Sequence, residues 1–201
     1  MDTSAGAESE LWTRSVGGDS AAFAELFDKH RDRIFRHAFR LVGDVHDAED
    51  ATATVFLELW RRRKQVRVVN ESILPWLLVT ATNTCRNTHR SARRYRTLID
   101  ALPRAVDAPG AEDELLHRHP LDSVDERFVV ALRTLSPVDI QLFALVTLED
   151  YPITDAAAVL KLSTSAAKTR LHRARVRLRA ALAKSSDVLP PLVTGPEGDP
   201  S

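Results

Sequence analysis

Cysteine is almost absent from this 201-residue chain, and a lone Cys85 excludes an internal disulfide. Aromatic residues are scarce at 6 % and glycine numbers only 7, while alanine, leucine and arginine recur throughout. That balance favours helix over strand and argues against a β-sandwich. Long apolar runs are missing too: the longest uncharged stretches, such as 73–79 and 142–148, fall far short of the roughly 20 residues that cross a bilayer. No membrane helix is expected. The first ten residues carry three acids and lack the basic-then-apolar order of a secretion signal, so the chain is expected in the cytosol. What is present, 44 % apolar residues, suffices for one ordinary domain or two small ones, and rules out a large multi-domain enzyme.

Net charge is zero, with 28 basic and 28 acidic residues, but the zero is a cancellation between segments. Residues 56–99 hold ten Lys/Arg against two acids, and residues 161–184 hold eight Lys/Arg and no acid. Residues 100–126 carry eight acids against two arginines, and residues 1–55 carry eleven acids against six bases. Each basic block could offset several phosphates and release their counterions, a salt-sensitive attraction to nucleic acid. A solvated helix face is the alternative for either block.

Helix punctuation is clear along most of the chain. Asp19 or Ser20 can cap a helix reaching about Val42, with Phe23, Phe27, Ile34, Ala38 and Leu41 on one stripe and Gly43 as its stop. A second helix starts near Asp44, carries Asp47, Glu49 and Asp50 in its first turns, and ends in Arg61, Arg62, Arg63 and Lys64. After a loop, Ser72 and Pro75 open a third helix with Leu74, Leu78, Ala81 and Cys85 inward. These make a first helical unit over residues 10–97. Residues 98–122, acidic and interrupted by Pro103, Pro109, Gly110 and Pro120, read as a flexible linker. A second unit follows over 123–184, and the proline-rich 185–201 reads as a disordered tail. The fold class is therefore all-α, two small helical domains.

Within the second unit, Ser136-Pro137-Val138-Asp139 starts one helix, Thr154 is expected to cap a short one through Leu160, and Ser163 or Thr164 caps the last. The short helix, tight turn and long helix have the spacing of a helix-turn-helix, whose second helix enters the major groove. Ala167, Leu171, Ala174, Leu178 and Leu182 form the inward stripe of that second helix. Lys168, Thr169, His172, Arg173 and Arg175 are left for bases and phosphates. A helical hairpin with a basic outer face is the bland alternative.

Four strings in order, Asp47-Ala48-Glu49-Asp50, Val55-Phe56-Leu57 with Trp60, Trp76-Leu77 with Asn83, and Lys168 through Arg175, make the chain resemble the extracytoplasmic-function sigma factors of bacteria. The resemblance implies a region-two domain over 10–97 and a region-four helix-turn-helix domain over 123–184, with no catalytic site and no cofactor or metal. It implies core RNA polymerase and promoter DNA as partners, and an anti-sigma factor as a common inhibitor. By position it assigns polymerase docking to Asp47, Glu49, Asp50, Phe56 and Trp60. It assigns the unwound minus-ten strand to Arg67, Asn70, Asn83, Arg86 and Arg90. The minus-thirty-five duplex falls to Lys168, Thr169, His172, Arg173 and Arg175. Ala53 and Thr54 stand where the family commonly has Gln-Glu, and Lys161 stands where glycine is frequent in the turn.

Other readings remain at this stage. No phosphate loop, paired-histidine metal motif or nucleophile elbow is present in the sequence. His46 with Glu49, and His117 with His119, are the nearest to metal ligands, and each lacks a matching second group. A stand-alone helix-turn-helix regulator is the stronger competitor, and it predicts specific duplex binding without polymerase. A helical adaptor acting on proteins alone would leave both basic blocks without a nucleic-acid role.

Overall fold

The caps decide where each helix begins. In the computed structural model, which describes residues 3–100 and 126–186 and the side chains of 6–87 and 127–183, every described element of any length is helical. The first half contains α1 (Thr3–Val16), α2 (Ser20–Val42), α3 (Val45–Arg62) and α4 (Leu74–Asp100). The second contains α5 (Glu126–Leu132), α6 (Pro137–Phe143) with a π-helical turn over Ala144–Leu148, α7 (Ile153–Val159) and α8 (Thr164–Ser186).

Asp19 caps α2 by accepting from the Ala21 and Ala22 amides, and Gly43, left-handed at φ 77°, ends it with an N–H donated to the Phe39 carbonyl. Asp44 accepts from the Asp47 amide at the start of α3, and the Ser72 hydroxyl accepts from the Leu74 amide at the start of α4. Those three helices pack their apolar stripes together, burying Leu26 and Ile34 of α2, Val55 and Leu59 of α3, and Leu77 and Leu78 of α4. Cys85 lies on the inner stripe of α4, where burial pushes its thiol up to about 12, a poor nucleophile at neutral pH.

The helix α1 lies ahead of the first helix expected from the sequence, and sets Leu11, Trp12 and Val16 against the core. It is held by Trp12 in the core and by Glu8, a buried carboxylate. Glu8 accepts from the Ser72 hydroxyl and the Ile73 amide, and pairs with Lys29 at 2.8 Å and His30 at 3.2 Å. The packed first half thus starts ahead of residue 10, and α4 runs on to Asp100, past the expected linker start. The rest of the linker and nearly all of the tail lie outside the described residues.

In the second half, Ser136 accepts from the Asp139 amide with Pro137 in the first turn of α6. One extra residue is wound into the π-helical turn, closed by the Glu149 amide on the Ala144 carbonyl. Thr154 does not cap α7: the helix starts one residue earlier, with the Pro152 carbonyl accepting from Asp155 and Ala156, and the Thr154 hydroxyl donates to Asp155 instead. The two halves share one continuous apolar core, in which Leu132, Leu142 and Leu145 join the cluster built by α2–α4.

Glu8 makes acid stability a test of this packing. Burial alone would raise its pKa, but His30, Lys29 and Ser72 outweigh burial and lower it from 4.5 to about 2. A carboxylate whose pKa falls on folding stabilises above its unfolded pKa and loses that contribution as pH drops through the folded value. Glu8→Gln should therefore cost about 3 kcal/mol at pH 7. The difference from the wild type, read by thermal melts, should shrink as pH falls from about 4.5 to about 2.

Candidate nucleic-acid interface

The turn between α7 and α8 is a Schellman closure. Lys161 adopts φ 57°, the Leu162 amide donates to the Ala157 carbonyl, and the Lys161 amide donates to Ala158. Lysine takes a left-handed position that glycine would occupy without a Cβ penalty. Past the turn, the Ser163 hydroxyl accepts from the Ala166 amide and launches α8. Ala167, Leu171, Ala174 and Leu178 are buried on its inner side, with Leu182 half-buried beyond them.

Lys168, Thr169, His172, Arg173 and Arg175 are all exposed on α8. The Thr169 hydroxyl donates to the Ser165 carbonyl, and Arg175 donates to Thr147. Beside this row, a groove of about 600 Å³ is lined by Ser136, Asp139, Ser165, Thr169, Arg170 and Arg173. Asp139, buried at its base, bonds Arg170 at 3.1 Å and lies 3.8 Å from Arg177. Sequence reading passed over Arg170 and Arg177, whose only signal was basic character on the same helix.

The candidates for strand binding cluster at a different place. Val69 and Ser72 bond each other through both backbone groups, closing a two-residue turn in which Asn70 and Glu71 are left-handed at φ 51° and 59°. That turn projects Asn70 and Arg67 toward the second half. Arg67 donates to the Ala158 carbonyl at 2.8 Å, and Asn70 donates to Asp155 at 2.6 Å. On α4, Asn83 accepts from Gln141, and Arg86 is half-exposed. The Arg90 side chain lies outside the described residues.

On α3, Glu49 and Asp50 are exposed and Asp47 is half-buried, continued down the same side by Ala53, Thr54 and Leu57. Phe56, expected on that docking face, is instead in the core at 4 % exposure, edge-on to Phe27 at 4.6 Å. The side chain that stands out is Leu57, 56 % exposed and seven residues after Asp50. Its helical spacing from Asp50 was the available signal. Trp60 is half-buried between the Phe23 edge and the Arg63 guanidinium, which lies 4.3 Å from its ring centre. His46 and Glu49 are exposed and 3.9 Å apart, and among the described residues no three His, Cys, Asp or Glu converge. His117 and His119 lie outside the described residues. No helix among the described residues is long and apolar enough to cross a membrane.

Comparison with known proteins agrees with this division. Residues 26–95 match the model of Sigma-70 region 2, and residues 125–178 match that of Sigma-70, region 4. RNA polymerase sigma factor CarQ of Myxococcus xanthus is 30 % identical over 168 residues, covering 82 % of this chain and 91 % of that protein. ECF RNA polymerase sigma factor SigE of Mycolicibacterium smegmatis is 33 % identical over 173 residues, covering 84 % of this chain. The chain belongs to the ECF RNA polymerase sigma factors. It spans 66 % of SigE and 62 % of ECF RNA polymerase sigma factor BldN of Streptomyces coelicolor. Among solved structures, CnrH in complex with the cytosolic domain of CnrY aligns with a TM-score of 0.56 at 20 % identity, over 89 % of this chain and 98 % of that one. The sigma factor RpoE in complex with the anti-sigma factor NepR from Bartonella quintana aligns at 0.50 and 22 %, over 80 % and 96 %. Both are likenesses of fold. The family is one of transcription initiation factors.

The strained turn gives a direct check on the geometry of this sigma factor. Lys161→Gly should raise the unfolding free energy by about 1 kcal/mol, measured by denaturant titration, because it relieves the Cβ clash of a left-handed residue.

Proposed function

We propose that this ECF sigma factor joins core RNA polymerase in the cytoplasm and carries it to promoters, with 10–97 and 123–184 as its two working units. Docking uses the exposed side of α3, through Asp47, Glu49, Asp50 and Leu57, with Trp60 at its lower edge. Arg67, Asn70, Asn83, Arg86 and Arg90 hold the unwound minus-ten strand. Amide and guanidinium groups suit an extruded base and its phosphates. Lys168, Thr169, His172 and Arg173 read the minus-thirty-five duplex, and Arg175 adds a phosphate contact. The RpoE neighbour is bound to an anti-sigma factor, and an inhibitor of that kind is part of this reading.

The observation that carries it is the outward cationic row on the first turns of α8, in a helix-turn-helix whose inner stripe is buried. A reconstituted transcription assay tests it. Promoter-specific transcripts should require both core polymerase and this chain. Lys168→Ala and Arg173→Ala should each reduce them about tenfold, as expected when a contact worth about 1–3 kcal/mol is lost, with polymerase binding unchanged. Specific duplex binding by the chain alone, with no transcript on adding polymerase, would point to a stand-alone regulator.

A further inference from the structure

The turn that presents Arg67 and Asn70 is built from residues that do not hold it by themselves. Between Val69 and Ser72, Asn70 and Glu71 both take positive φ, 51° and 59°. Asparagine tolerates that conformation, but glutamate sets its Cβ against the following carbonyl, so the turn must be held from outside. The holding groups come from α1. Glu8, buried at 4 % exposure, turns Oε1 of its carboxylate to the Ser72 hydroxyl at 2.8 Å and the Ile73 amide at 3.0 Å, while Oε2 meets Lys29 of α2 at 2.8 Å. The same helix also lies against the short turn Arg63–Gln65 at the other end of the loop. Ile73 is buried, whereas Arg67, Val68, Asn70 and Glu71 are exposed. On the exposed side, Arg67 and Asn70 meet Ala158 and Asp155 across the seam between the two halves. On the buried side the bonds come from Glu8.

We propose that Glu8 is a positioning residue for minus-ten recognition: through Ser72 and Ile73 it fixes the angle at which the turn presents Arg67 and Asn70 to the unwound strand. The inference rests on the strand-binding reading above and deepens it, because Glu8 touches no DNA in that reading and α1 lies ahead of the residues matched to region 2, 26–95. The reason is one of tolerances. A cation attracts a phosphate from many directions, but a hydrogen bond to a base edge needs its donor placed within about 0.5 Å and roughly 20°. Loosening the turn therefore costs discrimination among bases before it costs affinity. Ser72 is the relay. Its hydroxyl donates to Glu8 while accepting from the Leu74 amide, so the turn and the start of α4 share one anchor on α1.

The test uses holoenzyme assembled from core polymerase and the full-length chain, on a genomic promoter that the wild-type holoenzyme transcribes, randomised in turn over its minus-ten and minus-thirty-five elements. Counting a transcribed barcode on each template gives base selectivity at each element, and hydrogen exchange by mass spectrometry reads the order of residues 66–73 in the free chain. Glu8→Ala and Ser72→Ala should each speed exchange over 66–73 and lower minus-ten selectivity about tenfold, with minus-thirty-five selectivity unchanged. Ser72→Thr, which keeps the hydroxyl, should behave as the wild type. Lys29→Gln removes the partner on the oxygen that does not bond the turn. It should lower the melting temperature yet keep minus-ten selectivity, a split that a merely structural role for Glu8 would not give. Unchanged minus-ten selectivity in Ser72→Ala overturns the proposal, as does an equal loss in Lys29→Gln. Should Glu8→Ala be unfolded at the assay temperature, Ser72→Ala against Ser72→Thr decides by the same readouts. Arg67→Ala and Asn70→Ala separate the two readings. If they leave minus-ten selectivity intact, the strand-binding reading fails and the role of Glu8 with it; if they abolish selectivity while Ser72→Ala does not, the role of Glu8 alone fails.

Discussion

A buried carboxylate between two helical units governs how this molecule is put together. Glu149 has a side chain only 4 % exposed, yet it belongs to a segment that begins with a π-helical turn and leaves through a left-handed Asp150. Burial would raise its pKa, but hydrogen bonds and charge from His37 and Arg33 hold it below the ordinary carboxylate range. The pair His37 and Glu149 is almost wholly out of water. His37 also reaches Thr82, whose hydroxyl donates to the Leu78 carbonyl, so α2, α4 and the second half meet at one point. Removing Glu149 would leave the buried His37 without its carboxylate, while Arg33 and Arg40, each 41 % exposed, would keep their contact with water.

That arrangement explains why the two cationic surfaces have different availability. The first turns of α8 face outward because its apolar residues are spent on α5, α6 and α7, which leaves Lys168, Thr169, His172 and Arg173 exposed. The loop before α4 faces the seam, so its donors are satisfied within the chain. Two surfaces of like charge thus follow different rules, one set by a helix stripe and the other by domain packing.

Local chemistry was legible in the sequence wherever a few neighbouring residues decide the outcome. Asp19 and Gly43 bound α2, Asp44 opens α3, Ser136-Pro137 opens α6, and the inward stripe of α8 is as its spacing predicts. The failures have a common cause. The anchoring of α1 at Glu8 was not legible, because its partners Lys29, His30 and Ser72 lie far along the chain. Phe56 carries the family pattern, but helix packing turned it inward and left Leu57 outside. The charge pattern held no cue that Glu149 would be drawn into a cleft of arginines. Partners more than a hundred residues apart leave no periodicity to read.

Distance between the halves is the most direct measure of this account. Paired spin labels on exposed positions of α3 and α8 should give one short, narrow distance in the free protein. A broad distribution in the free chain would contradict a closed form held by Glu149.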